Sequence, residues 1–185
     1  EKMSDTKDLE HTDAFYTQLF SKAWKTIAVI IVVGIIDLWL LPIFREMGIA
    51  RFLILLFALI KIYFLVRFSF DQLVKIIGNS HLLSHILVLF ALLIGLIIFS
   101  FAIDFWALHN LGSISFKTDL NEGSSAIEII FEYLYFSTIT FSSVGYGDIV
   151  PMNAYSKTLV MLEVALRFFV LVFGIANINR IHVNK

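Results

Sequence analysis

The residues best suited to chemistry are concentrated at positions 137–151, Ser-Thr-Ile-Thr-Phe-Ser-Ser-Val-Gly-Tyr-Gly-Asp-Ile-Val-Pro. Two glycines one residue apart follow a run of hydroxyl side chains, and a carboxylate comes directly after them. A glycine-rich loop that binds phosphate follows a strand and has a basic residue near the phosphates. The sequence has no lysine or arginine between Lys117 and Lys157. The pattern therefore disfavours a phosphate site.

Long apolar segments lie on both sides of these positions, so the alternative is a loop at membrane depth whose backbone carbonyls bind a cation. Irregular backbone is tolerated there only where it lines a water-filled path or is buried in protein. Rings of carbonyls in such a path replace the hydration shell of potassium. Gly145 and Gly147 adopt positive φ without strain, which would turn the carbonyls of residues 143–146 to one side. A simple turn is the competing interpretation, and the flanking apolar segments disfavour it.

The segment Ser143-Val144-Gly145-Tyr146-Gly147-Asp148 resembles the selectivity-filter signature of tetrameric potassium channels. The resemblance extends over about residues 82–178 and implies an all-α membrane protein that forms a homotetramer around a central pore. It implies passive, potassium-selective conduction, with the permeant K+ as ligand and no other cofactor. The residues it implies are the K+ ligands Ser143, Val144, Gly145 and Tyr146, the further filter residue Gly147, and the filter supports Tyr135, Thr140, Ser142 and Asp148, with Tyr135 donating a hydrogen bond to Asp148.

Two residues depart from the family pattern. Ser143 stands where the family usually has threonine, which keeps the hydroxyl oxygen but lacks the methyl group. Phe141 stands where a small residue is common, so a large ring must pack nearby. Both departures leave a weakly selective cation channel open as an alternative function.

Composition agrees with a membrane protein. Of the 185 residues, 59% are hydrophobic, against about 45–50% in soluble domains. The formal net charge is −1, which gives no reason to expect a nucleic-acid partner. The sequence has no cysteine and no recognisable nucleophile, base and orienting residue in combination. We therefore expect no enzymatic activity.

Four apolar stretches are each near the roughly 20 residues that a bilayer core requires, which predicts four transmembrane helices per chain. A shorter apolar helix at 126–141, capped by Ser124 or Ser125, is expected to re-enter the membrane between the last two, directly before the filter. The predicted organisation is a cytoplasmic tail with an interfacial amphipathic helix (1–23), two peripheral transmembrane helices (24–68), a cytoplasmic linker (69–81), the pore domain (82–178) and a C-terminal tail (179–185).

The distribution of lysine and arginine predicts the orientation. If both termini lie on the same side of the membrane, more lysine and arginine residues lie on that side than on the other. The side of the two termini is therefore expected to be the cytoplasm. The expected location is the plasma membrane, and the expected partners are identical copies of the chain, membrane lipid and K+.

The last span carries three candidates for gating. Arg167 lies near the position where the family commonly has a hinge glycine, and Glu163 precedes it by one helical turn. We expect an ion pair between them, with Arg167 facing neighbouring helices, because four copies in the pore would repel K+. If Arg167 faced the path instead, the chain would be a non-conducting sensor or regulatory subunit. Gly174 is either a replacement hinge or a packing position.

Charges elsewhere are given simpler interpretations. The second span has Arg51, Lys61 and Arg67 without the every-third-residue repeat of a voltage sensor, so we expect a structural collar in which Lys61 pairs with Asp37 or extends to the interface. An acidic outer mouth that attracts cations is predicted from Asp104, Asp119, Glu122, Glu128, Glu132 and Asp148. For Glu128 and Glu132, compensation of the helix dipole is an equal alternative.

Overall fold

The computed structural model describes residues 24, 27–36, 39, 49–79, 83–112, 115–120 and 123–178, with side chains throughout except at 71–79, 83–86 and 175–178. The prediction of a mostly helical chain is confirmed. The elements are α1 (Ile27–Ile36), α2 (Ala50–Asn79), α3 (Leu83–Asn110), β1 (Phe116–Lys117), α4 (Ala126–Phe141), β2 (Val150–Pro151) and α5 (Ala154–Ile178).

Two helices of the described part are long and apolar enough to cross a membrane, Ala50–Phe70 and Leu87–Asn110. At about 1.5 Å per residue they extend roughly 31 and 36 Å, and a bilayer core is about 30 Å thick. The 25-residue α5 covers the predicted last span and carries three charged residues, Lys157, Glu163 and Arg167. Helix α1 covers part of the predicted first span. The count of four transmembrane helices stays a prediction.

Helix α2 continues without a break through most of the predicted linker. It ends at Asn79 rather than near Phe68, because residues 69–77 contain neither glycine nor proline. Packing also continues past the predicted boundary: Ser69 is buried, and the ring centroids of Phe70 and Phe173 in α5 lie 4.6 Å apart. The second span and the start of the linker are therefore one helix.

Helix α3 is the central element of the fold and contacts α2, α4 and α5. One buried stripe recurs along it every fourth residue, which is the spacing of one helix face; its members are Leu89, Leu93, Ile97, Phe101 and Phe105. Helix α1 also approaches α3 closely, because a Cβ at Gly34 would lie only 3.1 Å from Ile103.

An aromatic cluster fixes α4 against α3. The ring of Phe105 in α3 lies 5.0 Å from that of Phe136 in α4 and 5.7 Å from that of Phe116 in β1. Phe116 also meets Tyr133 at 5.2 Å, and the Tyr133 hydroxyl lies 2.9 Å from Nδ1 of His109. Such aromatic pairs stabilise by about 0.5–1.5 kcal/mol each beyond the area they bury. The cluster therefore sets the position of α4.

A short antiparallel pairing closes the segment between α3 and α5. Phe116 lies opposite Pro151, and Lys117 lies opposite Val150. The amide N of Met152 donates to the carbonyl of Ser115 at 3.0 Å. The chain before α4 and the chain after residue 149 are thereby joined, so α4 and the loop that follows it have both ends anchored.

Candidate functional site

Helix α4 begins with a complete capping box. The amide N of Glu128 donates to Oγ of Ser125 at 3.3 Å, and the amide N of Ser125 donates to the Glu128 carboxylate at 2.8 Å. The predicted serine cap is confirmed at Ser125. A cap of this kind stabilises a helix by about 1 kcal/mol. Glu128 thus has a structural role at the start of α4, as the interpretation of dipole compensation expected.

The C-terminal end of α4 leads directly into the glycine-containing loop through a Schellman motif. The amide N of Val144 donates to the carbonyl of Ile139 at 2.9 Å, and that of Ser143 donates to the carbonyl of Thr140 at 3.0 Å. The Ser142 hydroxyl donates to the carbonyl of Thr138 at 2.8 Å. These bonds satisfy carbonyls that a helix end leaves without partners. Thr140 and Ser142, the predicted supports, therefore fix the start of the loop.

The sign of φ alternates along the loop. Ser143, Gly145 and Gly147 have φ of 58°, 58° and 82°, whereas Val144 and Tyr146 have negative φ. The positive φ expected of the two glycines is confirmed. Where such alternation of φ accompanies alternating left- and right-handed backbone, successive N–H groups converge on one side and the carbonyls of the same peptide groups face the other. A row of carbonyl oxygens arranged in this way is able to coordinate a cation.

The residue type of Ser143 does not indicate its positive φ. Left-handed backbone costs a residue with a Cβ about 1–2 kcal/mol, so glycine is the usual residue there. Ser143 occupies the position after the helix end that a Schellman motif requires to be left-handed. The sequence contains one indication of this position, namely the length of the apolar helix. The helix ends two residues before Ser143.

The predicted hydrogen bond between Tyr135 and Asp148 is confirmed. The Tyr135 hydroxyl donates to Oδ2 of Asp148 at 2.6 Å, and the amide N of Ile149 donates to Oδ1 at 3.0 Å. The bond from Tyr135 lowers the pKa of Asp148, and the same bond raises the pKa of Tyr135 to about 12. The contact joins α4 to the chain directly after the last glycine of the loop.

The predicted ion pair between Glu163 and Arg167 is wrong. Arg167 extends to the loop, where Nη1 donates to Oγ of Ser143, and its guanidinium lies 5.2 Å from the ring centroid of Phe168. Glu163 is fully buried and accepts a hydrogen bond from the Ser137 hydroxyl at 2.5 Å. The carboxyl group of Glu163 is thus engaged by α4, and the guanidinium of Arg167 is engaged by the loop. The expectation that Arg167 faces neighbouring helices is likewise wrong.

Glu163 lies at a junction of three helices that the sequence did not indicate. The Ser137 oxygen lies 2.9 Å from the carbonyl of Ile98 in α3, in addition to its contact with Glu163 in α5. Oε2 of Glu163 has no hydrogen-bond partner in the described part of the chain. Ser137 therefore connects α4 to both helices that flank it.

A buried ion pair joins α2 to α3. Nζ of Lys61 contacts Oδ1 of Asp104 directly and lies 3.4 Å from the carbonyl of Ser100, and both charged side chains are fully buried. The prediction that Asp104 lies at an acidic outer mouth is wrong, because it faces the interior and Lys61. Asp37, the predicted partner of Lys61, lies outside the described residues.

Two further candidates are placed by packing. Phe141 is buried in the main hydrophobic cluster, so the large ring finds a site. A Cβ at Gly174 would lie 3.0 Å from the Phe90 ring, which fits the interpretation of a packing position between α5 and α3. A role of Gly174 as a hinge stays a prediction. Of the predicted mouth residues, Asp119, Glu128 and Asp148 are exposed, and Glu122 lies outside the described residues.

Part of the chain matches a known protein family. Residues 86–184, more than half of the 185-residue chain, match the model of a family described as "Ion channel". No curated protein and no solved structure matches the chain. The matched region contains almost all of α3, the aromatic cluster, α4, the loop and α5. Together with the two long apolar helices, this match identifies the chain as a membrane protein that belongs to the pore-loop ion channel family.

Proposed function

We propose that this chain is a potassium-selective channel that conducts K+ passively through a pore formed by four identical copies. The observation that supports this most strongly is the positive φ at every second residue, Ser143, Gly145 and Gly147, directly after the end of α4. The carbonyls of residues 143–146 are the proposed K+ ligands, with the Ser143 hydroxyl at the inner end. Carbonyl rings of this kind replace the hydration shell of K+.

Helix α4 supports the proposal through its length and position. Its 16 residues extend about 24 Å, which is less than the roughly 30 Å of a bilayer core. It therefore fits a helix that enters the membrane without crossing it. Its C-terminal end carries about half a negative charge and meets the loop, so it would stabilise a partly dehydrated cation there.

The exposed surface of a single chain supports a ring of copies. Val144 and Tyr146 are 50% and 72% exposed, and apolar side chains on α5, including Met161 and Val172, are also exposed. One loop supplies carbonyls on only one side of an ion. Closed rotational symmetry would surround the ion and cover this surface. Lipid would cover the remaining apolar surface, and the proposed orientation has both termini in the cytoplasm of a plasma-membrane protein.

The test is the reversal potential of the purified protein in a planar bilayer, with K+ on one side and Na+ on the other. A value near the potassium equilibrium potential supports the proposal. A clear current that reverses near zero supports the weakly selective cation channel instead, with Ser143 and Phe141 as the first residues to restore to the family pattern. Chemical cross-linking of the same sample tests the proposed tetramer.

Two glycine variants give a matched comparison. Gly145→Ala forces a side chain onto left-handed backbone, at a cost of about 1–2 kcal/mol per chain, and is expected to abolish selective current. Gly123→Ala is the control, because Gly123 has neither positive φ nor an atom near its missing Cβ. Equal selectivity in both variants would contradict a coordinating role for residues 143–147.

A further inference from the structure

The guanidinium of Arg167 lies against the first residue of the proposed filter. Nη1 donates to Oγ of Ser143, and the guanidinium carbon lies 5.2 Å from the centroid of the Phe168 ring. Among the residues that the structure describes, no carboxylate lies within ion-pair distance of Arg167. A hydroxyl group and a ring face hold this charge, and neither of them neutralises it.

We propose that Arg167 is a tethered cation that occupies the inner end of the filter and competes there with K+. The inference rests on the proposed function, since it takes Ser143 as an ion ligand. A hydroxyl oxygen that accepts an N–H bond has one lone pair fewer for a cation, and two positive charges a few Å apart repel each other. K+ and the guanidinium therefore exclude each other at Ser143.

The obstruction is reversible because the contacts of this side chain with the described residues are weak. Arg167 is only half-buried, and within that part of the chain its contacts are one hydrogen bond to a hydroxyl and one cation–π contact. A cation over an aromatic ring at a partly exposed site contributes only about 0.5–1 kcal/mol. The side chain can withdraw from Ser143 while α5 stays in place.

The obstruction is also one-sided. Arg167 contacts the loop at Ser143, at the opposite end from Asp148 and Tyr135. With the proposed orientation, this end faces the cytoplasm. A positive interior drives the guanidinium towards the filter, whereas K+ that enters from outside repels it away from the filter. Outward current is therefore smaller than inward current.

The size of this asymmetry follows from the charge that moves. If each guanidinium moves through about a tenth of the membrane field, a swing of about 200 mV changes its occupancy roughly twofold. If the four copies of Arg167 in the proposed tetramer act independently, each copy contributes this twofold change in occupancy. Where the obstructed state predominates, a single arginine therefore produces about a twofold difference between inward and outward current.

The experiment measures K+ current in inside-out patches from cells that express the full chain, with equal K+ on both faces. The cytoplasmic face is washed with solution free of Mg2+ and polyamines, so that no soluble cation can block. The wild type is expected to pass at most about half as much outward as inward current over this voltage swing. Raising external K+ is expected to increase the outward current although it lowers the driving force, because K+ from outside displaces the guanidinium.

Three variants separate the charge of Arg167 from its packing. Arg167→Gln removes the charge and is expected to bring the current ratio close to one. Arg167→Lys keeps a charge and is expected to retain the asymmetry. Lys157→Gln removes an exposed charge near the other end of the same helix and is expected to behave like the wild type. If the wild type passes no current and Arg167→Gln conducts, Arg167 obstructs the pore completely, which also supports the inference.

The two levels of the proposal fail in different ways. Equal current ratios in the wild type and Arg167→Gln, with both reversing near the potassium equilibrium potential when K+ is on one side and Na+ on the other, would refute the tethered cation and leave the proposed function standing. Absence of K+ current in every variant, with tetramers present at the cell surface, would refute the proposed function and this inference together.

Discussion

Replacement of Asp104 by leucine should weaken the packing of α2 on α3, because it removes the buried carboxylate that the Lys61 ammonium contacts. Both side chains are fully buried, and the ammonium contacts the carboxylate directly. Removal of one partner of a buried ion pair costs about 3–5 kcal/mol. The carbonyl of Ser100 remains near Nζ, but at 3.4 Å it lies beyond the usual range of an N–H···O bond and offsets little.

The expected loss in the free energy of unfolding is therefore about 3 kcal/mol, which is roughly a hundredfold change in the ratio of folded to unfolded protein. A double variant, Lys61→Met with Asp104→Leu, removes both charges and keeps apolar volume in the site. Buried pairs replaced in this way are often neutral or more stable. The double variant should accordingly lie within about 1 kcal/mol of the wild type.

Unfolding can be followed by tryptophan fluorescence as sodium dodecyl sulfate is titrated into protein in mild detergent. Lys117→Gln is the matched control, because Lys117 is exposed and surface substitutions usually change stability by less than about 0.5 kcal/mol. The reasoning is refuted if Asp104→Leu unfolds like this control. It is refuted equally if the double variant is as unstable as the single one.

Three further predictions concern α4 and its contacts. The Tyr135–Asp148 bond requires an ionised Asp148 and a protonated Tyr135. The pKa of Asp148 is lowered from 3.8 and that of Tyr135 is raised from 10.0 to about 12, so the bond stays intact at every pH between 3.8 and 10.0. The reversal potential should therefore be constant between about pH 5 and 9, and it should shift towards zero in Tyr135→Phe. The free energy of unfolding of Glu163→Gln should lie within about 1 kcal/mol of the wild-type value, because an amide can donate to Ser137 while Ser137 donates to the carbonyl of Ile98. Glu163→Ala should lose more than about 2 kcal/mol of this free energy. Ser125→Ala should lose about 1 kcal/mol of the free energy of unfolding in the same detergent titration. A loss no larger than that of an alanine substitution at an exposed serine outside a helix cap would contradict the capping role.

The loop could be predicted from the sequence because its determinants are local. The residue type of Gly145 and Gly147 indicates positive φ at these positions. The start of α4 follows from a serine three residues before a glutamate. The Tyr135–Asp148 bond came from the family resemblance, and the structure has it at 2.6 Å.

The partners of the buried charges could not be predicted, because they depend on how each helix is rotated against the next. Lys61 and Asp104 are separated by 43 residues, and no periodicity within α2 or α3 indicates that the two face each other. The spacing of Glu163 and Arg167 indicates a pair on one helix face. It says nothing of Ser137, which lies closer to the carboxyl group than the guanidinium does.

Within the described part of the chain, two polar contacts attach α5 to α4 and to the start of the loop that follows it. Glu163 accepts from Ser137 inside the core, and Arg167, one turn further along α5, donates to Ser143 at the start of the loop. Both serines belong to one continuous stretch, α4 and its Schellman motif, which the aromatic cluster holds against α3. A displacement of α5 along α4 therefore changes the buried contact and the contact at the loop together. The contact of Glu163 resists such a displacement because its carboxyl group is buried, and this fixes the point from which the half-buried Arg167 reaches Ser143.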